Sequence, residues 1–218
     1  MKKLKLLVSL LIICAFAKAN NIEQIGGDEP VWNIKTKNAV YQLQLNKEGM
    51  LLPTFWGARA HSEVVAIQSR TQHNGPFRIT EVPVRGHHAD KMPIVEVIYA
   101  DNTRDCELEF VKADIMTIDG FQTLKLTQKD KHYPLEIISY IRVLPQYDII
   151  EKWLEVKNTS KNKKDNILIE NLLSGSVHLS PNRYFLNHHS GQWVREFQHR
   201  QTELTTGTKT LQTKDFYA

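Results

Sequence analysis

Apolar side chains recur at every second position through most of this chain. Leu124 and Leu126 alternate with Lys125 and Thr127, and Leu135, Ile137, Ile141 and Val143 keep one phase. Ile150, Leu154 and Val156 keep another, opposite Glu151, Trp153, Glu155 and Lys157. Cys106, Leu108 and Phe110 alternate with Glu107 and Glu109, and Ile94–Tyr99 is a run of strand-forming residues. Shorter apolar runs follow at Ile167–Ile169 and Val177–Leu179. Successive side chains on a strand point to opposite faces, so a period of two describes strands with one face buried and one wet. A helix buries one stripe with a period near 3.6, and no long segment offers it.

Turn chemistry falls between the runs. Asp119-Gly120 suits a type I′ hairpin, which needs positive φ at both central residues. Asn46–Gly49, Asp101-Asn102, Pro145-Gln146 and residues 158–166 carry further turn and loop signals, with Ser160–Lys164 reading as a solvated basic tip. The pattern predicts an all-β chain, with roughly ten to thirteen strands in a large antiparallel β-sandwich. No long internal repeat is visible, which argues against a propeller or solenoid.

Residues 1–19 differ from the rest. Met1–Lys5 is basic, Leu6–Phe16 is apolar, and Ala17-Lys18-Ala19 is a small-x-small cleavage site. The apolar run is shorter than the roughly 20 residues a spanning helix needs. An export signal is therefore expected, cut after Ala19, leaving a 20–218 domain in the periplasm or outside the cell with no membrane span. Cys14 follows Leu11-Ile12-Ile13 and lacks the small residue that lipidation at that position wants. The leader also carries the charge excess. Taking its four lysines from 28 basic residues leaves 24, equal to the 24 acidic ones, so no nucleic-acid partner is expected. Cys106 is the one cysteine left after cleavage, so no intramolecular disulfide can form. Its phase with Leu108 and Phe110 predicts a buried thiol.

Familiar chemistry is missing. There is no P-loop, no GxGxxG, no GxSxG and no HExxH. Among nine histidines, His87-His88 and His188-His189 are adjacent pairs, and neighbours on a strand point apart, so neither pair is expected to chelate a metal. No cofactor is expected. Asp90, Asp101, Asp105, Asp114, Asp119 and Glu196 are too scattered to suggest an acid/base pair. The segment Tyr184–Glu196 is rich in aromatic and polar groups. Trp193, Arg195, Phe197 and His199 alternate with Val194, Glu196 and Gln198, which predicts a strand with functional groups on both faces. Trp193 suits a sugar platform or an interface or core anchor with Arg195 beside it.

Gly191-Gln192-Trp193-Val194-Arg195-Glu196 resembles the Gly-x-Trp-x-Arg-Glu motif in the N-terminal domain of glycoside hydrolase family 36, the bacterial-type α-galactosidases. The surrounding order is similar. Gly49–Leu52 leads into Phe55-Trp56-Gly57; Phe77-Arg78, Ile137–Tyr140, Ile149–Asn158 and Asn171–Ser174 follow, and Leu204-Thr205-Thr206-Gly207 comes after the Trp motif. The resemblance spans residues 31–218. It implies a non-catalytic β-sandwich domain with carbohydrate metabolism as its setting. Gly191, Trp193, Arg195 and Glu196 would then be a structural or interface motif, and Trp56 would approach a neighbouring subunit's galactose pocket, plain packing being the alternative. The implied partners are a (β/α)8 barrel encoded downstream, further copies of the chain and a carbohydrate.

Two departures matter. Lys214–Ala218 replaces the family's continuation toward the barrel that carries both catalytic aspartates, and Ala58–Asn74 does not match the usual loop. The chain alone is therefore expected to be inactive and to be a truncated or split polypeptide. The rival reading is a free-standing carbohydrate-binding or adhesion module, with Trp153 or Trp193 as its platform.

Overall fold

The computed structural model describes residues 20–59, 80–86, 93–177, 183–192 and 195–205. The expected leader 1–19, together with Phe77-Arg78, His87-His88, Asp90, Trp193 and Gly207, lies outside them. The described residues hold twelve strands and one 3₁₀ turn, at Pro145–Tyr147. The all-β reading stands, and the strand number falls within the expected range. No described helix is long and apolar enough to cross a membrane.

The chain divides into two compact units, Met1–His178 and Leu179–Ala218. In the first, β1 (Ile22–Ile25), β2 (Val31–Lys35), β3 (Ala39–Leu45) and β4 (Leu51–Ala58) form one antiparallel meander. β5 (Val95–Ile98) waits for a partner far along the chain. β6 (Leu108–Ile118), β7 (Phe121–Asp130), β8 (Leu135–Leu144) and β9 (Ile149–Asn158) form a second meander. β10 (Leu168–Leu172) then pairs antiparallel with β5. The second unit is the antiparallel pair β11 (Tyr184–Gln192) and β12 (Arg195–Leu204).

Burial follows the period-two phases. Trp32, Ile34, Tyr41, Leu43 and Leu51 from the first meander meet Leu124, Leu126, Ile141 and Val143 from the second in one core. Two sheets sharing a core in this way make the arrangement sandwich-like. Val82, Val84, Val95, Val97, Tyr99 and Cys106 form another core with Leu108, Leu135 and Ile137. β8 serves both cores, Leu135 and Ile137 at one end and Ile141 and Val143 at the other, so a single apolar phase runs along the whole strand. Cys106 is buried, as its phase predicted.

The hairpin turn behaves as its residues require. Asp119 and Gly120 have φ of 51° and 84° between the paired residues Ile118 and Phe121. Gly86 is more constrained. Its φ is 93°, it bridges Cys106, and an added Cβ would lie 2.7 Å from Asp105 Cβ and 2.9 Å from Asp105 Cα. Gly86→Ala combines a disfavoured backbone with a clash and is expected to cost about 1–3 kcal/mol. A urea unfolding midpoint equal to the parent's would contradict this.

Two strand expectations need correction. Ile167 packs on the second core, but Leu168 and Ile169 are exposed; Val177 is exposed and outside any described strand, and His178 and Leu179 lie outside the described residues. β10 belongs to a two-stranded sheet with a register shift between Ile169 and Asn171, so its apolar residues are not held to one buried face. The alternation expected up to His199 also breaks. Ser190 pairs with Gln198 but Gln192 pairs with Arg195, so Gly191 faces two residues, Glu196 and Phe197. Phe197 takes up the extra residue with φ of 56° and stands 81% exposed. Such a bulge inverts the side-chain phase across it.

Candidate functional site

Trp56 reaches its position through another irregularity. In the β3–β4 pair, Gln42 faces Phe55 and Leu43 faces Pro53, so Thr54 is an extra residue. In an unbroken register Thr54 would oppose Gln42 and Trp56 would oppose Val40. With the extra residue, Trp56 opposes Tyr41, whose side chain belongs to the core. A one-residue insertion flips every later side chain to the other face. Trp56 therefore sits on the core side at the end of β4, 40% exposed. Its ring meets Tyr41 edge-on, centroids 5.2 Å apart at 61°. Gly57 follows, and a Cβ there would lie 2.9 Å from Phe55 Cζ, so a side chain after Trp56 would have to displace the Phe55 ring.

Beneath Trp56, Tyr41 is held by a buried ion pair. Its hydroxyl donates to Glu81 Oε2. Lys152 Nζ lies 2.6 Å from Glu81 Oε1, with side-chain exposures of 15% and 1% respectively. The same ammonium donates to Ser176 O at 3.0 Å and to Tyr41 Oη at 3.4 Å. All three of its donors are thereby engaged, and both Glu81 oxygens accept. Glu81 N donates to Leu51 O, which ties the segment carrying Glu81 to the start of β4.

Burial holds the Glu81 carboxyl above its ordinary range, outweighing the pull of Lys152 and the Tyr41 hydroxyl. Burial, then the Glu81 charge, pushes the Tyr41 phenol well above its own. A fully bonded polar network in a low-dielectric setting fixes one geometry. Here that geometry is the seat of Trp56. Tyr41, Glu81 and Lys152 fix that seat, and the carboxylate faces an ammonium and a phenol rather than a second carboxyl.

None of the three was singled out from sequence. The available signal was Lys152, which falls in the apolar phase Ile150, Leu154, Val156. A lysine aimed into a core needs a buried acid, and nothing local names Glu81 as that acid.

The other aromatic and titratable candidates are occupied structurally. Trp153 stacks on Tyr140, centroids 4.9 Å apart at 6°, and the Arg142 guanidinium sits 5.3 Å from its ring centre. Arg142 is itself bound by Glu151 and Asp119 at 2.6 and 2.8 Å. Trp153 is half-buried in this cluster, which leaves it poorly placed as a flat sugar platform. Burial, reinforced by Asp130, pushes the Cys106 thiol up, so it is no nucleophile. Gly191 is exposed in β11, Arg195 and Glu196 open β12, and Trp193 lies outside the described residues. Among the described residues, no group of three or more His, Cys, Asp or Glu could hold a metal.

The sequence matches the glycosyl hydrolase family 36 N-terminal domain over residues 49–217. No curated protein is matched. The fold superposes on the family-36 α-galactosidase AgaB of Geobacillus stearothermophilus with a TM-score of 0.71 at 17% identity, over 85% of this chain and 29% of that one. The α-galactosidase of Lactobacillus brevis gives 0.70 at 20% identity, over 84% and 28%. The galactosidase domain of the α-galactosidase–sucrose kinase AgaSK gives 0.69 at 17%, over 85% and 30%. At these identities the likeness is one of fold, and the chain spans less than a third of each relative's length.

Proposed function

This chain belongs to the glycosyl hydrolase family 36 N-terminal domain family, and we propose that it is the non-catalytic β-sandwich domain of an exported α-galactosidase-type glycoside hydrolase. Bond cleavage then falls to a (β/α)8 barrel, on the same polypeptide or on a separate one. The domain holds that barrel and, through Trp56, lends an aromatic wall to a galactose pocket. The observation that supports this reading is the overlay of most of this chain on less than a third of each α-galactosidase chain. Retaining glycosidases place two carboxyl groups about 5 Å apart across the scissile bond, whereas the buried carboxylate Glu81 is spent on Lys152 and Tyr41. Export rests on the leader-like residues 1–19. The rival reading of a free-standing carbohydrate-binding or adhesion module loses one of its two platforms, because Trp153 is engaged by Tyr140 and Arg142, while Trp193 lies outside the described residues.

An aryl α-galactoside tests the proposal. The purified 20–218 chain is expected to give no turnover, and turnover that survives purification to homogeneity overturns the accessory role. With its barrel present, Trp56→Ala is expected to raise KM on the order of tenfold, about 1.4 kcal/mol, with kcat little changed. An unchanged KM would reduce Trp56 to a packing residue.

A further inference from the structure

The β11–β12 pair sets two histidines directly opposite each other. His189 pairs with His199 across the strands, and the ring centroids are 5.6 Å apart. Both residues are exposed. Two imidazoles that bind one ion through nitrogens at about 2.0–2.1 Å hold their ring centres roughly 5 Å apart, so this separation suits a shared ion. Adjacent histidines on one strand point apart, and His188 accordingly pairs with Arg200 on the other face. The chelating neighbour of His189 is thus ten residues on in sequence, where adjacency does not look for it.

A second observation orients one of the rings. His199 Nε2 lies 3.2 Å from Asn187 Oδ1, and Gln201 Nε2 donates to the same oxygen at 3.0 Å. That oxygen only accepts, so this contact suits the His199 tautomer with its proton on Nε2, which leaves Nδ1 for a metal ion. A ligating histidine characteristically donates its other ring nitrogen to such an oxygen, which fixes tautomer and ring orientation.

We propose that His189 and His199 form a site for a first-row divalent transition ion, with Asn187 orienting His199 and water completing the coordination. Imidazole pairs suit Cu²⁺, Ni²⁺ and Zn²⁺, with Cu²⁺ the tightest. An ion bound across the strands would pin their register. An isolated two-stranded pair is marginally stable in water, so such a clasp has an effect to exert here.

The test is a calorimetric titration of the 20–218 chain with CuCl₂, NiCl₂ and ZnCl₂ in a non-coordinating buffer. One ion per chain is expected, with Cu²⁺ tightest. His189→Gln and His199→Gln should each weaken binding at least about tenfold, while His188→Gln should leave it unchanged. Copper electron paramagnetic resonance should show two coupled imidazole nitrogens, reduced to one in each ligand variant. No site tighter than about millimolar, equal loss in His188→Gln, or binding that survives the double variant would each overturn the proposal. His189 and His199 are exposed and His188 is half-buried, and circular dichroism of each variant identifies any loss caused by misfolding. Asn187→Ala separates positioning from ligation: it should weaken binding while both nitrogen couplings persist, and loss of a coupling would make Asn187's proposed role wrong.

Discussion

Lys152→Met is expected to lower the unfolding free energy by about 3–5 kcal/mol, because it strands the Glu81 carboxylate in the protein interior. The loss should depend on pH. Burial already raises the Glu81 carboxyl above its ordinary value of 4.5, and removing the ammonium raises it further. Between the unfolded and folded values, the native state binds a proton that the unfolded chain has released. Stability therefore falls as pH rises through that window, and what Glu81 contributes is fully present only below its unfolded value. Chemical denaturation at pH 5 and pH 8 should show the larger deficit for Lys152→Met at pH 8. The double variant Glu81→Leu/Lys152→Met should recover much of the loss, since replacing a buried pair by apolar groups is often neutral. If the double variant is no more stable than Lys152→Met, or if the deficit is the same at both pH values, the stranded charge is not the cause.

Trp32→Ala carries the other large effect, about 3–5 kcal/mol, the usual range for emptying a buried aromatic site. Trp32 is almost fully buried between the two meanders, its ring centre 5.8 Å from that of Phe110. Its Nε1 donates to Gln24 Oε1 at 3.2 Å, so its one polar atom is satisfied. Trp153→Ala is the control. Trp153 is half-buried on the opposite face of the second meander, and its removal should cost clearly less. Urea midpoints followed by far-UV circular dichroism read both without depending on the lost fluorophore. Equal costs would mean that burial does not separate the two tryptophans.

Trp153, Trp32, Trp56 and Glu81 differ in how far local pattern foretells their places. Trp153 falls outside the apolar phase of its own strand, and the structure places it on the polar face with Glu151. Trp32 was not singled out, because Val31–Lys35 is too short for a phase to declare itself. Trp56 was singled out by resemblance, yet its seat on Tyr41 depends on the extra residue Thr54, and a bulge leaves no periodic mark. Among titratable groups named from the sequence, Asp101 and Asp119 lie in turns and Asp114 on the partly exposed β6, where solvation accounts for them. The carboxylate at the candidate site, Glu81, lies between strands, where no alternation flags it.

What the sequence determined by itself is local. The period of two specifies strands, Asp119-Gly120 specifies the tight turn between β6 and β7, and the phase of Cys106 and of β8 specifies which side chains go inward. Each rests on chirality and the alternation of side chains over a few residues, so a window of that size contains the information. Tertiary structure alone decided the long-range meetings. Tyr41 reaches Glu81 across 40 positions and Lys152 across 111, and β5 finds β10 rather than a neighbour. His189 faces His199 only because the β11–β12 register runs as it does. Pairing partner, register and bulge position are set by how whole sheets bury their apolar faces together, a global balance that no local segment encodes.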